Sequence, residues 1–155
     1  NDIKNNDKAV EAVLNKKIDG LDNLKYRYKA VLEIPSIKLK RGILDIDNKY
    51  NKAKYNIELI KEKDDIIVLA SHNGNNYNSY FGNLKNISLG DTINYYYDGK
   101  IYKYIYTDSY DIKKDGYADI YRKKGNKCIV LVTCKDGRND GQTVFIGYLD
   151  EILEY

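Results

Sequence analysis

Cysteine, histidine and proline are scarce in this chain, and tryptophan and methionine are absent. The 155 residues include two cysteines, one histidine and one proline. The cysteines, Cys128 and Cys134, lie in one apolar segment, where an extended strand would separate them by roughly 20 Å. A disulfide needs Cα atoms within about 7 Å. Both thiols are therefore expected to be free, and one histidine with two such separated thiols does not make a zinc site.

The chain also lacks an excess of either charge and lacks a long apolar run. Lysine and arginine number 26, aspartate and glutamate 23, and the formal net charge is +3. This balance argues against nucleic-acid binding. No run of 18 apolar residues is present, so nothing in the sequence is expected to span a membrane. The sequence opens without methionine on the polar stretch 1–8, and we expect an ectodomain whose N-terminal membrane anchor is absent from this chain.

The N-terminal part of the sequence has a helical pattern, and the remainder has a β pattern. Residues 6–19 are predicted to form an amphipathic helix, with a second short helix over residues 21–28. The apolar positions on the common face are Val10, Val13, Leu14, Ile18 and Leu21. We therefore divide the chain into an N-terminal helical extension, residues 1–28, and one globular β-barrel unit, residues 29–155.

The clearest local pattern is a β-hairpin. Two alternating segments, residues 92–97 and 100–106, flank the dipeptide Asp98-Gly99. This dipeptide readily adopts the positive φ angles that a type I′ turn requires. The sequence therefore predicts two antiparallel strands joined by a two-residue turn.

Further short apolar segments predict the other strands. Residues 49–55 are polar and are predicted to form a helical turn, and residues 108–127 are predicted to be a charged loop with one helical turn near residues 118–121. The remaining strand candidates are residues 31–34, 37–46, 57–60, 66–70, 128–133 and 143–148. With about eight strands in all, the sequence favours a mostly β fold, a closed or nearly closed eight-stranded barrel.

A cysteine and the only histidine each stand where a predicted strand ends. Cys134 follows an apolar strand and precedes the polar loop residues 135–138, and His72 follows the apolar strand of residues 66–70. A thiol that opens on a polar loop is accessible, as a nucleophile must be, and an imidazole can exchange a proton with it. Cys128 lies inside its strand and is interpreted as a structural thiol.

Three stretches of the chain match, in order, the motifs of one protein family. They are Ile34-Pro35-Ser36-Ile37; Ser71-His72-Asn73 with Phe81-Gly82-Asn83-Leu84 and Leu89-Gly90-Asp91; and Leu131-Val132-Thr133-Cys134. In this order, between about residues 30 and 149, they resemble the Ile-Pro-x-Ile, Gly-His-Asn…Phe-x-x-Leu…Gly-Asp and Thr-Leu-x-Thr-Cys motifs of the sortases, cysteine transpeptidases of the Gram-positive cell surface. Ser71 replaces the usual glycine and Val130 the first threonine. The N-terminal helix and the Ser-His-Asn context lean toward class B.

The resemblance has one gap, at an arginine. Sortases place an arginine near the scissile carbonyl, at the start of the strand that follows the catalytic cysteine. In this chain Gln142 occupies that position, and the nearest arginine is Arg138, in the loop after Cys134. Either Arg138 folds back over Cys134, or Gln142 acts as a neutral donor to the oxyanion. A third interpretation leaves Arg138 as a solvated loop charge.

The resemblance implies a sortase-type barrel and a thiol mechanism without a cofactor. His72 and Cys134 would be catalytic with Arg138, and Ser71, Asn73, Thr133 and Gln142 would support the substrate. The implied substrate is an LPxTG-like sorting signal, which is cleaved through a thioacyl-enzyme. The implied acceptor is an amine of a peptidoglycan precursor or a pilin. The implied location is the extracellular face of the cell membrane at the Gram-positive cell surface.

Three alternatives remain open. The missing arginine favours a catalytically weak or inactive sortase-like domain that only binds peptide. Tyrosine supplies 17 of the chain's aromatic residues, and a barrel that stacks nucleic-acid bases on tyrosine is a second possibility. A cysteine hydrolase differs only in that water, and not an amine, resolves the acyl-enzyme.

Overall fold

The computed structural model describes eight strands and two short 3-10 helices. The described residues are 28–74, 78–113, 120, 122–123, 125–134 and 141–154, with the backbone alone for Cys134. The helices are Pro35–Ile37 and Leu84–Asn86. The strands are β1 (Tyr28–Ile34), β2 (Leu39–Leu44), β3 (Glu58–Lys63), β4 (Ile66–Ala70), β5 (Thr92–Tyr97), β6 (Lys100–Lys113), β7 (Cys128–Cys134) and β8 (Gly141–Glu154).

The strands form a single, strongly curved sheet in the order β2-β1-β5-β6-β8-β7-β4-β3. Every neighbouring pair is antiparallel except β4 and β7, which run parallel. The predicted mostly β, eight-stranded fold is therefore confirmed as a nearly closed barrel. The predicted N-terminal helix lies outside the described residues, and the boundary at residue 28 stays a prediction.

Strand β7 shows how the sheet separates two apolar layers. Ile129 and Leu131 face the barrel interior, and they pack there with buried side chains from every strand of the sheet. Cys128, Val130 and Val132 face the other way, into a second buried cluster formed with β4, β6 and β8. Strand side chains alternate between the two faces, so a strand buried on both faces must be apolar throughout. This requirement explains the continuous apolar run of β7.

The two terminal strands of the sheet, β2 and β3, are linked by asparagine side chains. The Asn56 Nδ2 donates to the Gly42 carbonyl of β2 at 2.8 Å. The Asn51 Nδ2 donates to the Leu59 carbonyl of β3 at 2.9 Å, and the Asn51 Oδ1 accepts from the Leu59 N–H at 2.7 Å. Both asparagines are buried. The asparagine side chains thus bind backbone N–H and carbonyl groups of the two edge strands that a neighbouring strand would otherwise bind. In this way they link β2 to β3 and bring the barrel close to closure.

The β5–β6 hairpin confirms the predicted turn. Asp98 has φ of 51° and Gly99 has φ of 72°, as a type I′ turn requires. Pairing begins immediately, with Tyr97 opposite Lys100. A local signal in the sequence was sufficient here because the turn geometry sets the register of both strands.

Three expectations about element bounds need correction. Strand β6 continues to Lys113, so residues 108–113 are not loop. This polar segment is extended because it pairs with β8 along its whole length, ending with Lys113 opposite Gly141. β8 runs correspondingly beyond residue 148, to Glu154. Tyr28 belongs to β1 and not to a helix. The predicted helical turn over residues 49–55 needs no correction: the segment forms hydrogen-bonded turns, and the Asn56 N–H donates to the Lys52 carbonyl at 2.9 Å, the spacing of one helical turn.

Replacing Asn51 should destabilise the barrel at its β2–β3 junction. Asn51→Ala removes the partners of both Leu59 backbone groups, and a buried group left without its hydrogen bond costs about 1–3 kcal/mol. We expect a free energy of unfolding lower by about 2–4 kcal/mol in urea titrations. Asn86→Ala, at an exposed position, is the matched control and should change stability by less than about 0.5 kcal/mol. Equal stability of the two variants would contradict the bridging role.

Candidate active site

The parallel pairing of β4 with β7 brings two strand ends together. Their ladder runs from Ile66 opposite Cys128 to Ala70 opposite Val132, and the Ser71 N–H extends it by donating to the Val132 carbonyl at 3.2 Å. Each partner on β7 lies 62 positions after its partner on β4. His72 follows Ala70 by two residues and Cys134 follows Val132 by two residues, so the segments that carry them leave the β4–β7 ladder at the same edge of the sheet.

Strand β8 adds a third residue to this row. It pairs antiparallel with β7, and Cys134 lies opposite Gln142. Adjacent strands are about 4.8 Å apart, so the backbones of Cys134 and Gln142 are direct neighbours, and the segment that carries His72 leaves β4 at the same edge of the barrel. Gln142 is half-buried, and His72 is exposed. We call these three residues the strand-end row.

The loop after β4 is anchored to the barrel on both sides of His72. Ser71 is buried, and its hydroxyl donates to the Asn78 carbonyl at 3.4 Å. The His72 carbonyl accepts from the Phe81 N–H at 3.2 Å. Phe81 and Leu84, two residues of the resemblance motif, are completely buried in the core. They act as packing anchors that fix where the histidine loop leaves the strand.

Gly82, inside that motif, permits a close approach of two loop segments. A Cβ at this position would collide with the Gly74 carbonyl oxygen, a backbone atom that cannot move aside cheaply. Asn73 makes the neighbouring turn, where its Oδ1 accepts from the Gly74 N–H at 2.8 Å and its carbonyl accepts from the Ser79 hydroxyl at 3.3 Å. The loop that carries His72 is thereby folded on itself.

A cavity of about 240 Å³ lies on the interior side of β7 and β8, and it is lined by sequence neighbours of the strand-end row, such as Asn73, Thr133 and Thr143, and not by the row itself. Its wall combines polar and aromatic side chains: Asn73, Phe81, Lys85, Ile87, Tyr106, Ser109, Thr133, Thr143 and Phe145. Thr133 is 4% exposed, and its hydroxyl has no hydrogen-bond partner among the described residues. A buried hydroxyl without a partner is costly, so this atom is available to a group that enters the cavity.

The structure describes most of the predicted site residues, but not all of them. Cys134 and Gln142 are paired in the β7–β8 ladder, and the Ser71 N–H donates to the Val132 carbonyl at the same edge of the sheet. His72 and Asn73 follow Ser71 in the chain, and Thr133 precedes Cys134. Arg138 lies outside the described residues.

Sequence reasoning missed Asp111, whose carboxylate accepts from the Thr143 hydroxyl at 2.8 Å at the cavity wall. Asp111 fell in the segment interpreted as loop. The alternation of Tyr110-Asp111-Ile112 between apolar and polar residues was the available signal for a strand.

The second cysteine, Cys128, is a free, buried thiol on the outer side of β7. Burial raises the pKa of this thiol, and the nearby Arg122 guanidinium offsets part of that increase. Arg122 in turn is bound to Asp65 by a 3.0 Å ion pair. Because a neutral, buried thiol is a poor nucleophile, Cys128 has the environment of a structural residue.

Comparison with known proteins decides the family. The sortase domain family model matches residues 32–149, most of the chain. The chain belongs to the sortase family. No curated protein matches it.

Solved sortase structures share the fold at low sequence identity. Sortase A of Listeria monocytogenes superposes with a TM-score of 0.69 at 20% identity, over 83% of this chain and 90% of that one. Sortase C-3 of Streptococcus pneumoniae gives 0.72 at 15% identity, over 83% and 65%. A sortase D5 transpeptidase of Clostridium perfringens gives 0.64 at 17%, over 91% and 89%. These likenesses span classes A, C and D, so they leave the class of this sortase open.

The region that matches the sortase family model, residues 32–149, includes the strand-end row and the loop that carries His72.

In the described part of the chain, no helix has the length and hydrophobicity needed to cross a lipid bilayer.

The thiol environment of Cys128 leads to an alkylation test. At pH 8, native protein treated with iodoacetamide should leave Cys128 unmodified, because its raised pKa and burial keep it as an inaccessible thiol. Labelling at Cys128 should follow only after unfolding in guanidinium chloride, as peptide mass spectrometry would show. Rapid native labelling of Cys128 in a Cys134→Ala variant would contradict the structural assignment.

Proposed function

We propose that this sortase is an active cysteine transpeptidase with Cys134 as nucleophile and His72 as its proton partner. The observation that supports the proposal is the parallel register of β4 and β7, which the Ser71 N–H bond to Val132 continues, together with the pairing of Cys134 with Gln142. The same register, extended by two residues, would bring His72 beside Cys134. We therefore propose that the only histidine of the chain adjoins the cysteine that ends β7. A nucleophile and its acid–base partner must be held within hydrogen-bond reach.

The proposed first half-reaction is acylation. The Cys134 thiolate attacks the carbonyl carbon of the scissile peptide bond in an LPxTG-like sorting signal, and a C–S bond forms. As the tetrahedral intermediate collapses, the C–N bond breaks, and the His72 imidazolium gives its proton to the leaving amine. The product is a thioacyl-enzyme with a neutral imidazole.

The proposed second half-reaction is acyl transfer to an amine. An amino group of a peptidoglycan precursor or a pilin attacks the thioester carbonyl, and His72 takes the proton that the amine loses. The C–S bond breaks and returns the Cys134 thiolate. The chemistry takes place at the extracellular face of a Gram-positive cell membrane, the location implied by the family, and needs no cofactor.

Two residues compete for the role of oxyanion donor. Gln142 is supported by its position opposite Cys134 in the β7–β8 ladder, and its amide N–H is a neutral donor. Arg138 would supply a full positive charge and a forked donor from the loop that follows the nucleophile. Backbone N–H groups after Cys134 complete the proposed oxyanion site.

The supporting residues have separate proposed roles. The partnerless Thr133 hydroxyl in the cavity wall is proposed to bind the sorting-signal backbone, and Asn73 in the same wall is proposed to orient that chain. Ser71 already donates to the Asn78 carbonyl, so we propose that it positions the His72 loop.

A second candidate function is peptide binding with little or no catalysis. The specific observation that favours it is Gln142 at the ladder position opposite Cys134, where sortases carry the arginine. Loss of a charged donor reduces stabilisation of the oxyanion while leaving the peptide-binding surface in place.

The nucleophile assignment is tested with fluorogenic sorting peptides and an amine acceptor. Cys134→Ala should abolish both turnover and the thioacyl adduct seen by intact mass. His72→Ala should lower kcat/KM by about 10²–10⁴-fold, the usual contribution of a general acid–base. Cys128→Ala is the matched control and should retain turnover. Peptide binding by the wild type without any adduct would favour the non-catalytic alternative.

Single substitutions separate the two oxyanion candidates. If Gln142 is the donor, Gln142→Ala should lower kcat by about a hundredfold with little change in KM, since the donor acts mainly in the transition state. Arg138→Ala should then resemble Lys113→Ala, a control at an exposed strand position. The opposite pattern assigns the role to Arg138, and full activity in both variants would leave neither as the donor.

A further inference from the structure

A larger cavity lies at the end of the barrel opposite the strand-end row. It measures about 550 Å³ and is lined by Ile66, where β4 begins, and by Lys127, which precedes β7. Ile66, at the start of β4, lies six positions before His72, which corresponds to roughly 20 Å of extended chain. This second cavity, which we call the hairpin-end cavity, is therefore distinct from the proposed active site.

Four tyrosines of the β5–β6 hairpin line the hairpin-end cavity. They are Tyr95, Tyr97, Tyr102 and Tyr104. Tyr95 and Tyr104 belong to the barrel core, and burial raises the pKa of both phenols. Tyr97 is 37% exposed. Aromatic rings therefore line the cavity both at its inner end, in the barrel core, and at its exposed end.

The hydroxyl of Tyr95 is an unsatisfied group in this wall. Tyr95 is 1% exposed, and its hydroxyl has no hydrogen-bond partner among the described residues. A buried phenol normally finds a partner, and its absence costs free energy. This hydroxyl marks the cavity as a place where a hydrogen-bonding group from outside would be stabilising.

The charged side chains of the cavity largely cancel. Glu62, Asp64 and Asp65 supply three carboxylates, while Lys63 and Lys127 supply two ammonium groups. Two of the carboxylates are already ion-paired, Glu62 with Lys29 and Asp65 with Arg122. The lining therefore offers both donors and acceptors of hydrogen bonds without a strong field of either sign.

We propose that the hairpin-end cavity binds a neutral saccharide. A pyranose ring has an apolar C–H face that packs on an aromatic ring, and tyrosine offers a rigid ring with a polar tip. Sugar hydroxyls both donate and accept, so they match a lining with carboxylates, ammonium groups and a partnerless phenol. The cavity also has the volume usual for small-ligand sites.

Charged ligands fit the same cavity less well. The ammonium of Lys29 already lies 5.0 Å from the Tyr97 ring centroid and is bound to Glu62, so the best cation-binding groups are occupied by the chain itself. An anionic ligand would find no excess of positive charge, because the lining has three carboxylates and two ammonium groups. The balance of charges thus selects a neutral ligand, independently of the transpeptidase proposal.

The test uses the full chain, including residues 1–27, and two neutral probes, the tetrasaccharides of N-acetylglucosamine and of cellobiose units. Isothermal titration calorimetry should detect saturable binding of at least one probe. Tyr102→Ala should weaken that binding about tenfold, the loss expected for one aromatic packing face. Tyr55→Ala, at an exposed tyrosine outside the cavity, is the matched control and should bind normally.

Tyr95→Phe separates binding from folding. Because it removes only the partnerless hydroxyl, the variant should melt at the same temperature or higher and yet bind the sugar several-fold more weakly. Absence of saturable binding to both probes, unchanged affinity in Tyr102→Ala and Tyr95→Phe, or tighter binding of lysine methyl ester than of either sugar would overturn the proposal. Transpeptidation by the Tyr95→Phe variant should equal that of the wild type.

Discussion

The parallel pairing of β4 with β7 is the constraint on which the proposed active site depends. Parallel strands present their C-terminal ends at the same edge of a sheet, so the residues that follow Ala70 meet the end of β7. An antiparallel pairing of the same strands would set those ends roughly 20 Å apart. The parallel arrangement also explains why β7 is buried on both faces, since parallel strands require cover on each side. The proposed nucleophile therefore stands at the end of one of the most firmly held strands.

Closure of the barrel rests on side chains where a backbone ladder is missing. Asn51 and Asn56 bind backbone groups of β3 and β2, and the Arg41 guanidinium packs between Asn56 and the Tyr80 ring. Tyr80 belongs to the loop that follows His72. The side chains that link β2 and β3 therefore contact the loop that positions the proposed proton donor. The two cavities lie at the two ends of the same interior, and the core between them is filled by apolar and aromatic side chains.

Features with a local physical cause were predictable from the sequence. The Asp98-Gly99 turn and the apolar strands β4 and β7 all appear where the pattern indicated. The length of β6 did not, because its polar end from residue 108 to Lys113 is held extended by pairing with β8, which composition does not encode. The contact between Asp111 and Thr143 depends on the same pairing of β6 with β8, so it could not be predicted from the sequence either.

The sequence by itself determined the eight-stranded β class, the free and structural character of Cys128, and a histidine and a cysteine that each end an apolar strand. Family motifs added the expectation of a sortase. Only the tertiary structure decided that β4 and β7 end at the same edge with Cys134 opposite Gln142, that the Thr133 hydroxyl has no partner among the described residues, and that a tyrosine-lined cavity occupies the opposite end. The physical reason is register: hydrogen bonding between strands distant in sequence sets which residues become neighbours, and a shift of one residue would change every one of these contacts.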